Sequence, residues 1–405
     1  MLSPESAAVV RASLPLVGEA IERITGHFYD TMFREHPELL DGMFNRGNQA
    51  NGMQRQALAG SIVAFAGSLL TDPQSRPDAL LARIAHKHAA VGVTEEQYAI
   101  VHKYLFGAIV EVLGEAVTPQ VAAAWDEVYW LMAGALVAHE ARLYVEAQVR
   151  PGHPWRSWTV VGRRQETVDV VSFLLRPTDG QAPPPVRAGQ YVSVRVRMPD
   201  GVHQLRQYSL SSAPDGRTRR ITVKRVGGDG TPLGEVSDLL HRTVRVGDEL
   251  TLSAPFGDVV LEEEDAPLLL ASAGIGCTPM VGMLEHLASA GSTRPTLVLH
   301  ADRSPADHAL RADTNRLVSR LPGARAQFWY EWPGAAEPGA AEPGAWAGRM
   351  DLGALDLPDG VRAYLCGPLP FMRDVRAQLL AAGVPPRHIR YEVFGPDLWL
   401  ADDAA

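Results

Sequence analysis

The hydrophobic periodicity changes twice along these 405 residues, and no single fold accommodates all three textures. Up to about residue 148 apolar positions recur at helical spacing: Ala57, Leu58, Ser61, Ile62, Phe65, Leu69; then Tyr98, Val101, His102, Leu105, Ile109, Val112; then Trp125, Val128, Leu131, Met132, Ala135. Pro37, Pro73, Pro77 and Pro119 fall between these blocks, where helices end. Past Arg150 short alternating, β-branched runs take over at Trp158–Val161, Val168–Phe173, Tyr191–Val196 and Ile221–Lys224. Turn clusters such as Pro183–Pro185 and Asp215–Gly216 separate them, the pattern of a small antiparallel β-barrel. From about Ala266, apolar runs at Leu268–Leu270, Leu297–Leu299 and Ala363–Leu365 alternate with the helical stretches Val281–Leu287 and Phe371–Leu380. That alternation predicts βαβ units and a parallel sheet. The predicted layout is therefore an all-α unit at 1–148, an antiparallel β-barrel at 149–262 and an α/β parallel-sheet unit at 263–405. A perfect AAEPG duplication at 335–344 reads as a flexible, solvated insertion, because it offers nothing to bury.

Composition narrows the setting. A net charge of −9 argues against a nucleic-acid partner, which needs a basic face to displace counterions. Two cysteines, Cys277 and Cys366, suit a reducing compartment and supply no disulfide framework. The N-terminus lacks a basic segment followed by an apolar one, so no signal peptide is expected. Ala266–Leu284 runs uncharged, but Gly274, Gly276, Pro279 and Gly282 make it a strand, turn and helix start rather than a membrane span. A cytoplasmic monomer without membrane or nucleic-acid contacts is expected, its partners being small molecules.

In the helical block His27, Phe28, Tyr29, Asp30, Met32 and Phe33 share one helical stretch. Pro37, Glu38 and Leu39, then Phe44 and Asn45, Asn48 and Gln49, Gln54 and Arg55, Ala57 and Leu58, Lys87 and His88, and Glu96, Gln97 and Tyr98 follow in order. This order and spacing resembles the globin domain of the flavohaemoglobin family over residues 1–148. The resemblance implies haem b, with His88 as the single imidazole on iron and the opposite face open to a gas. It implies Tyr98 and Glu140 as partners of that imidazole, a carboxylate there making the ring more basic. Tyr29, Gln54 and Leu58 become the distal residues, Phe44 packs on the haem, and Lys87 belongs to the cofactor contacts. Gln54 and Leu58, four apart, share a helix face. His86 points about 200° around the helix from His88 and is expected at the surface. Taken alone, a histidine among helices is usually a core or surface residue, and Tyr29 reads equally well as a packing aromatic.

The second half carries another motif set. Arg206, Gln207, Tyr208 and Ser209 form an R-x-Y-S pattern, preceded by Gly189, Gln190 and Tyr191 and followed by Lys224 and by Gly234, Glu235, Val236 and Ser237. A strand then runs into a small-residue turn and a helix: Gly274, Ile275, Gly276, Cys277, Thr278, Pro279, Met280. Cys366, Gly367 and Pro368 come later, and Tyr391, Glu392, Phe394 and Gly395 lie near the end. Together these resemble the ferredoxin-NADP reductase family. The resemblance implies FAD on the barrel, with Arg206 on its pyrophosphate, Tyr208, Ser209 and Tyr191 near the isoalloxazine, and a second phosphate loop at Gly234–Ser237. NAD(P)H is implied at Gly274–Pro279 and Cys366–Pro368, with the C-terminal aromatic shielding the flavin. A guanidinium fork suits phosphate, and small residues let a dinucleotide approach the backbone. Cys277 has no assigned role, and Cys366, lacking a partner cysteine nearby, is not read as a redox thiol. Arg303 and Ser304, after a strand, suit a ribose 2′-phosphate, and NADH and NADPH both stay open.

Globin, flavin and nucleotide units in one chain resemble flavohaemoglobins throughout, implying a nitric oxide dioxygenase that passes electrons from NAD(P)H through FAD to haem. The rival expectations are an NAD(P)H oxidase or hydroperoxide reductase on the same electron chain, an O2 or NO sensor, and a reductase whose helical N-terminus binds no haem. A sensor needs an output domain, and no segment is left over for one.

Overall fold

The computed structural model describes residues 1–50, 52–71, 77–227, 233–332, 345–353 and 355–395. The AAEPG duplication and Pro73 lie outside the described residues.

Six helices form the first unit: α1 (Pro4–Glu35), α2 (Arg46–Ala50), α3 (Met53–Thr71), α4 (Asp78–Val91), α5 (Glu95–Leu113) and α6 (Pro119–Glu146). Their starts follow local chemistry. Ser3 and Thr118 accept backbone N–H groups at the heads of α1 and α6, and Thr94 and Gln97 form a reciprocal capping box on α5. Pro77 and Pro119 stand at helix starts as expected, while Pro15 sits inside α1. Val10, Ile24, Phe28, Phe65, Leu81, Trp125 and Val128 build the shared core. By length and composition α6 is apolar enough to cross a membrane. It buries Ala124, Trp125, Val128, Ala133 and Leu136 in this helical core.

The second unit is antiparallel. Strands β1 (Trp155–Thr167), β2 (Val170–Pro177), β3 (Tyr191–Arg197), β4 (His203–Ser209) and β5 (Arg219–Lys224) precede α7 (Glu235–Thr243) and β6 (Glu249–Ser253). They order as β4-β3-β6-β1-β2-β5, and an isolated antiparallel bridge from Leu210 to Ile221 brings the two edges together as a barrel. The run Val168–Phe173 is not one strand: Val168 and Asp169 form the tight β1–β2 turn, with Val168 exposed.

The third unit is parallel: β7 (Leu268–Ala273), α8 (Cys277–Ser289), β8 (Thr296–Asp302), α9 (Arg311–Arg320), β9 (Ala324–Tyr330), β10 (Ala345–Ala347), β11 (Arg362–Cys366), α10 (Leu369–Ala381) and β12 (Ile389–Glu392). Strand order is β10-β9-β8-β7-β11-β12. Every residue of the central β7 is buried, as a strand covered on both faces requires. Chain order reverses between β7 and β11, and ligands of such sheets sit outside the carboxyl ends of the strands at that switch point.

Candidate functional site

In the helical unit, α4, α5 and α6 converge on one carboxylate. Glu140 is almost fully buried, and its Oε1 accepts from His88 Nδ1 at 2.8 Å and from the Tyr98 hydroxyl at 2.6 Å. His88 Nδ1 also lies 2.9 Å from the Tyr98 oxygen. Burial, then the adjacent Glu140 charge, raise the Tyr98 phenol far above its ordinary value, so it stays a donor. With Nδ1 committed, the ring offers Nε2, and the side chain is 34% exposed although Ala85 and Ala89 on the same helix are fully covered. Among the described residues no cluster of three or more His, Cys, Asp or Glu forms a metal cage. A lone imidazole suits a metal whose remaining ligands come from a macrocycle.

Tyr29, from α1, is buried with the Gln54 side chain of α3 beside its phenol; burial raises that phenol well above the usual value, and Gln54 and the Arg55 charge offset part of the rise. Its ring packs on Phe33 at 5.5 Å and edge-on to Phe44 at 6.0 Å. Leu58, Phe44, Ile62, Ile84 and Val101 pack on the core yet remain only partly buried. An apolar surface left half-covered beside an imidazole fits a porphyrin.

On the barrel, β3 and β4 pair so that Tyr191 stands opposite Ser209 and Val192 opposite Tyr208. The Tyr191 and Ser209 hydroxyls are both buried without a hydrogen-bond partner. Such orphaned atoms are rare, and a polar heterocycle lying on this strand pair would satisfy them. Burial, followed by the Glu392 and Asp258 charges, pushes the Tyr191 phenol up, and burial pushes Tyr208 up. Arg206 is largely enclosed, and burial lowers its pKa; its contacts are the Leu205 carbonyl at 2.6 Å and Gln204 Oε1 at 3.5 Å, with no ion pair among the described residues. An enclosed, unneutralised guanidinium fits a phosphate. Gln207 is exposed. Lys224 pairs with Asp169 at 3.5 Å. Gly234 caps α7, whose Ser237 hydroxyl donates to the Gly234 carbonyl and accepts from Val226 N–H, with Val236 beneath in the core.

At the carboxyl edge of the parallel sheet, the Gly274–Gly276 turn and Cys366–Pro368 meet. A Cβ on Gly276 would lie 2.2 Å from the Cys366 carbonyl oxygen, so only glycine permits this approach. Thr278 and Pro279 are buried in the first turn of α8, Thr278 donating to the Ile275 carbonyl at 3.0 Å. Cys277 and Cys366 are free, buried thiols, and burial pushes the first up to about 12 and the second well above its usual value. Inert thiols leave these cysteines as packing residues. A separate cleft of about 760 Å³, lined by Arg187, Glu262, Arg362 and Arg390, lies at the opposite edge of this sheet.

Sequence reading missed how the units dock. His86 is not a surface residue: its Nδ1 accepts from Gly257 N–H of the barrel unit at 2.9 Å, and burial lowers its pKa to about 4. Arg83, one turn earlier, donates to Asp258 at 3.2 Å and to the Tyr391 carbonyl at 3.1 Å, its guanidinium 4.4 Å above the Tyr391 ring. Lys87 donates to the Gly395 carbonyl at 2.6 Å, next to Phe394, and Glu392 is buried nearby in chain. Elsewhere Asp41 accepts from His203 N–H at 2.6 Å, and Arg46 pairs with Asp200 at 2.6 Å. These partners lie more than 150 residues apart, and no local pattern signals them.

Comparison with known proteins agrees with both halves. The Globin family matches residues 26–136, and the Oxidoreductase NAD-binding domain family matches residues 270–377. A curated protein of Bordetella pertussis named Flavohemoprotein is 43% identical over 98% of this chain and 99% of its own length. The crystal structure of the Malassezia yamatoensis flavohemoglobin with bound FAD and heme superposes with a TM-score of 0.88 at 38% identity, covering 97% of this chain and 100% of that one. The FAD/NAD-binding domain of a Vibrio cholerae nitric oxide dioxygenase matches at 40% identity and a TM-score of 0.54, covering 60% of this chain and 99% of that one. With relatives this similar along its whole length, a globin unit ahead of a reductase unit, the chain belongs to the flavohaemoprotein family.

Proposed function

We propose that the chain is a nitric oxide dioxygenase, combining NO with O2 to give nitrate at the expense of NAD(P)H. One observation carries the reading: α4 bears both His88 and three of the side chains, Arg83, His86 and Lys87, that tie the reductase to the globin. An electron donor docked on the helix of a candidate iron ligand is what haem re-reduction requires. The haem would supply one-electron iron chemistry and a gas-binding position, while FAD would turn a two-electron hydride into single electrons.

The residues divide the work. His88 holds the iron, and Glu140 with Tyr98 fixes the ring tautomer and makes the imidazole more basic. Tyr29, steadied by Gln54, presents an O–H to the gas site, Leu58 and Phe44 line it, and Lys87 serves the haem edge and the reductase together. Arg206, Lys224 and the Gly234–Ser237 turn would hold the FAD phosphates, and Tyr191, Gln207, Tyr208 and Ser209 would hold its ring system. Gly274, Gly276, Thr278, Pro279, Cys366, Gly367 and Pro368 would hold NAD(P)H, and Glu392, Phe394 and Gly395 would serve its nicotinamide end. We place the unit boundaries at 148/149 and 262/263. The Vibrio cholerae relative is named for this activity, and two free buried thiols suit a cytoplasmic setting.

The test is anaerobic mixing of the FAD- and haem-loaded protein with NADH. Flavin bleaching followed by conversion of the haem spectrum to the ferrous form is expected. Flavin reduction without any haem reduction overturns the electron path.

A further inference from the structure

Strand β8 ends on Asp302, beside the Gly274–Gly276 turn, and the loop at 303–310 follows at the carboxyl edge of the sheet. In a nucleotide-binding βαβ unit the end of the second strand faces the adenosine ribose. Arg303 and Ser304 look from sequence like grips for a 2′-phosphate. In the structure one carboxylate occupies both: Asp307 Oδ1 accepts from Arg303 Nη2 at 2.8 Å, and its Oδ2 accepts from the Ser304 hydroxyl at 2.6 Å.

A second carboxylate lies beneath. Asp302 has a side chain only 5% exposed, accepts from Arg303 N–H at 2.8 Å, and sits 3.4 Å from His300 Nε2. His300 bonds Ser272 at 2.9 Å and stacks on His308 at 3.9 Å between ring centres; His308 in turn bonds the Tyr330 hydroxyl at 2.8 Å. This buried chain fixes the loop's base. Burial would raise the Asp302 carboxyl, but His300, the Arg303 N–H and the Lys224 charge hold it below its usual range, so it is ionised at neutral pH. Lys224, whose charge acts on Asp302, is itself paired with Asp169.

We propose that Asp307, backed by the fixed charge of Asp302, makes this chain selective for NADH over NADPH. The inference rests on NAD(P)H being the electron donor. A 2′-phosphate, carrying roughly −1.5 to −2 charge, would have to displace Asp307 from two donors while approaching Asp302. A 2′-hydroxyl needs one acceptor, and the Asp307 carboxylate supplies it without losing its partners.

Isothermal titration of the FAD-loaded full chain with NAD+ and NADP+ tests this, alongside anaerobic flavin reduction by NADH and NADPH. NAD+ should bind at least about tenfold tighter than NADP+. Asp307→Asn should narrow that ratio about fivefold or more, chiefly by tightening NADP+, since it removes one like charge and frees Arg303. Arg303→Ala alone should not weaken NADP+ binding, because Asp307 already occupies that guanidinium, and the double variant should lose the gain seen in Asp307→Asn. Equal affinities in the wild type, an unchanged ratio in Asp307→Asn, or NADP+ binding lost in Arg303→Ala each overturns the selectivity. Flavin reduced equally by both nucleotides sinks the selectivity alone; flavin reduced by neither sinks the donor reading beneath it.

Discussion

Glu140 shows what one buried carboxylate decides. It accepts from an imidazole and a phenol at once, so replacing it by the isosteric glutamine keeps the shape and removes the charge. Glu140→Gln should raise the haem reduction potential, because a less basic imidazole stabilises the oxidised iron less, and leave the flavin potential unchanged. Potentiometric titration of both chromophores checks it; equal haem potentials would reduce Glu140 to a packing role. For Tyr29→Phe, losing one hydrogen bond to a partly charged ligand, worth about 1.5–3 kcal/mol, should speed O2 release by about 10- to 150-fold and CO release far less. Stopped-flow release rates decide it, and unchanged O2 release would leave Tyr29 as the aromatic that packs on Phe33 and Phe44. His88→Ala should abolish stable haem binding while FAD stays bound, whereas His86→Ala should keep haem and weaken docking of the barrel at Gly257. Retention of a normal ferrous spectrum by His88→Ala would reassign the ligand. Sequence spacing set these two histidines in different directions but sent His86 to the surface, where the barrel unit in fact covers it at Gly257. The unpartnered Tyr191 and Ser209 hydroxyls were likewise legible only as motif members; their burial is a property of the assembled sheet.

Elements were legible wherever periodicity ran long or a strand was buried on both faces. The helical blocks around 57–69, 98–112 and 125–135 fall within α3, α5 and α6, and β7, β8 and β11 coincide with the continuous apolar runs. Less was visible where alternation was short. β6, β9 and β12 interrupt their apolar residues with Glu249 and Thr251, Arg325 and Gln327, and Arg390 and Glu392, and Val168, β-branched by type, lies in a turn because the β1–β2 pairing requires a reversal there. The Gly274–Gly276 turn was visible as small residues, but the reason, contact with the Cys366 carbonyl, depends on β7 and β11 being neighbours. Gly276→Ala should therefore destabilise the nucleotide unit by about 1–3 kcal/mol through overpacking and slow flavin reduction by NADH. Chemical denaturation and single-turnover reduction measure the two; a variant unchanged in both would mean the turn relaxes without consequence.

At the scale of the whole molecule, α4 carries contacts to both reductase units, and the proposed electron path runs by way of it. Arg83→Ala removes bonds to Asp258 and Tyr391 and the contact over the Tyr391 ring. Flavin reduction by NADH should be unaffected, while flavin-to-haem transfer should slow at least severalfold as docking loosens; equal rates for both steps would place the path elsewhere. In the proposed reaction the reducing equivalents of NADH end in nitrate. Each NO combined with O2 takes one electron, so a hydride supports two turnovers. The most direct measurement is nitrate formed and NADH consumed when the loaded protein receives NO under air. Two nitrates per NADH, with no hydrogen peroxide, is the result expected. NADH consumption that yields peroxide and leaves NO unconverted would contradict it and identify an oxidase instead.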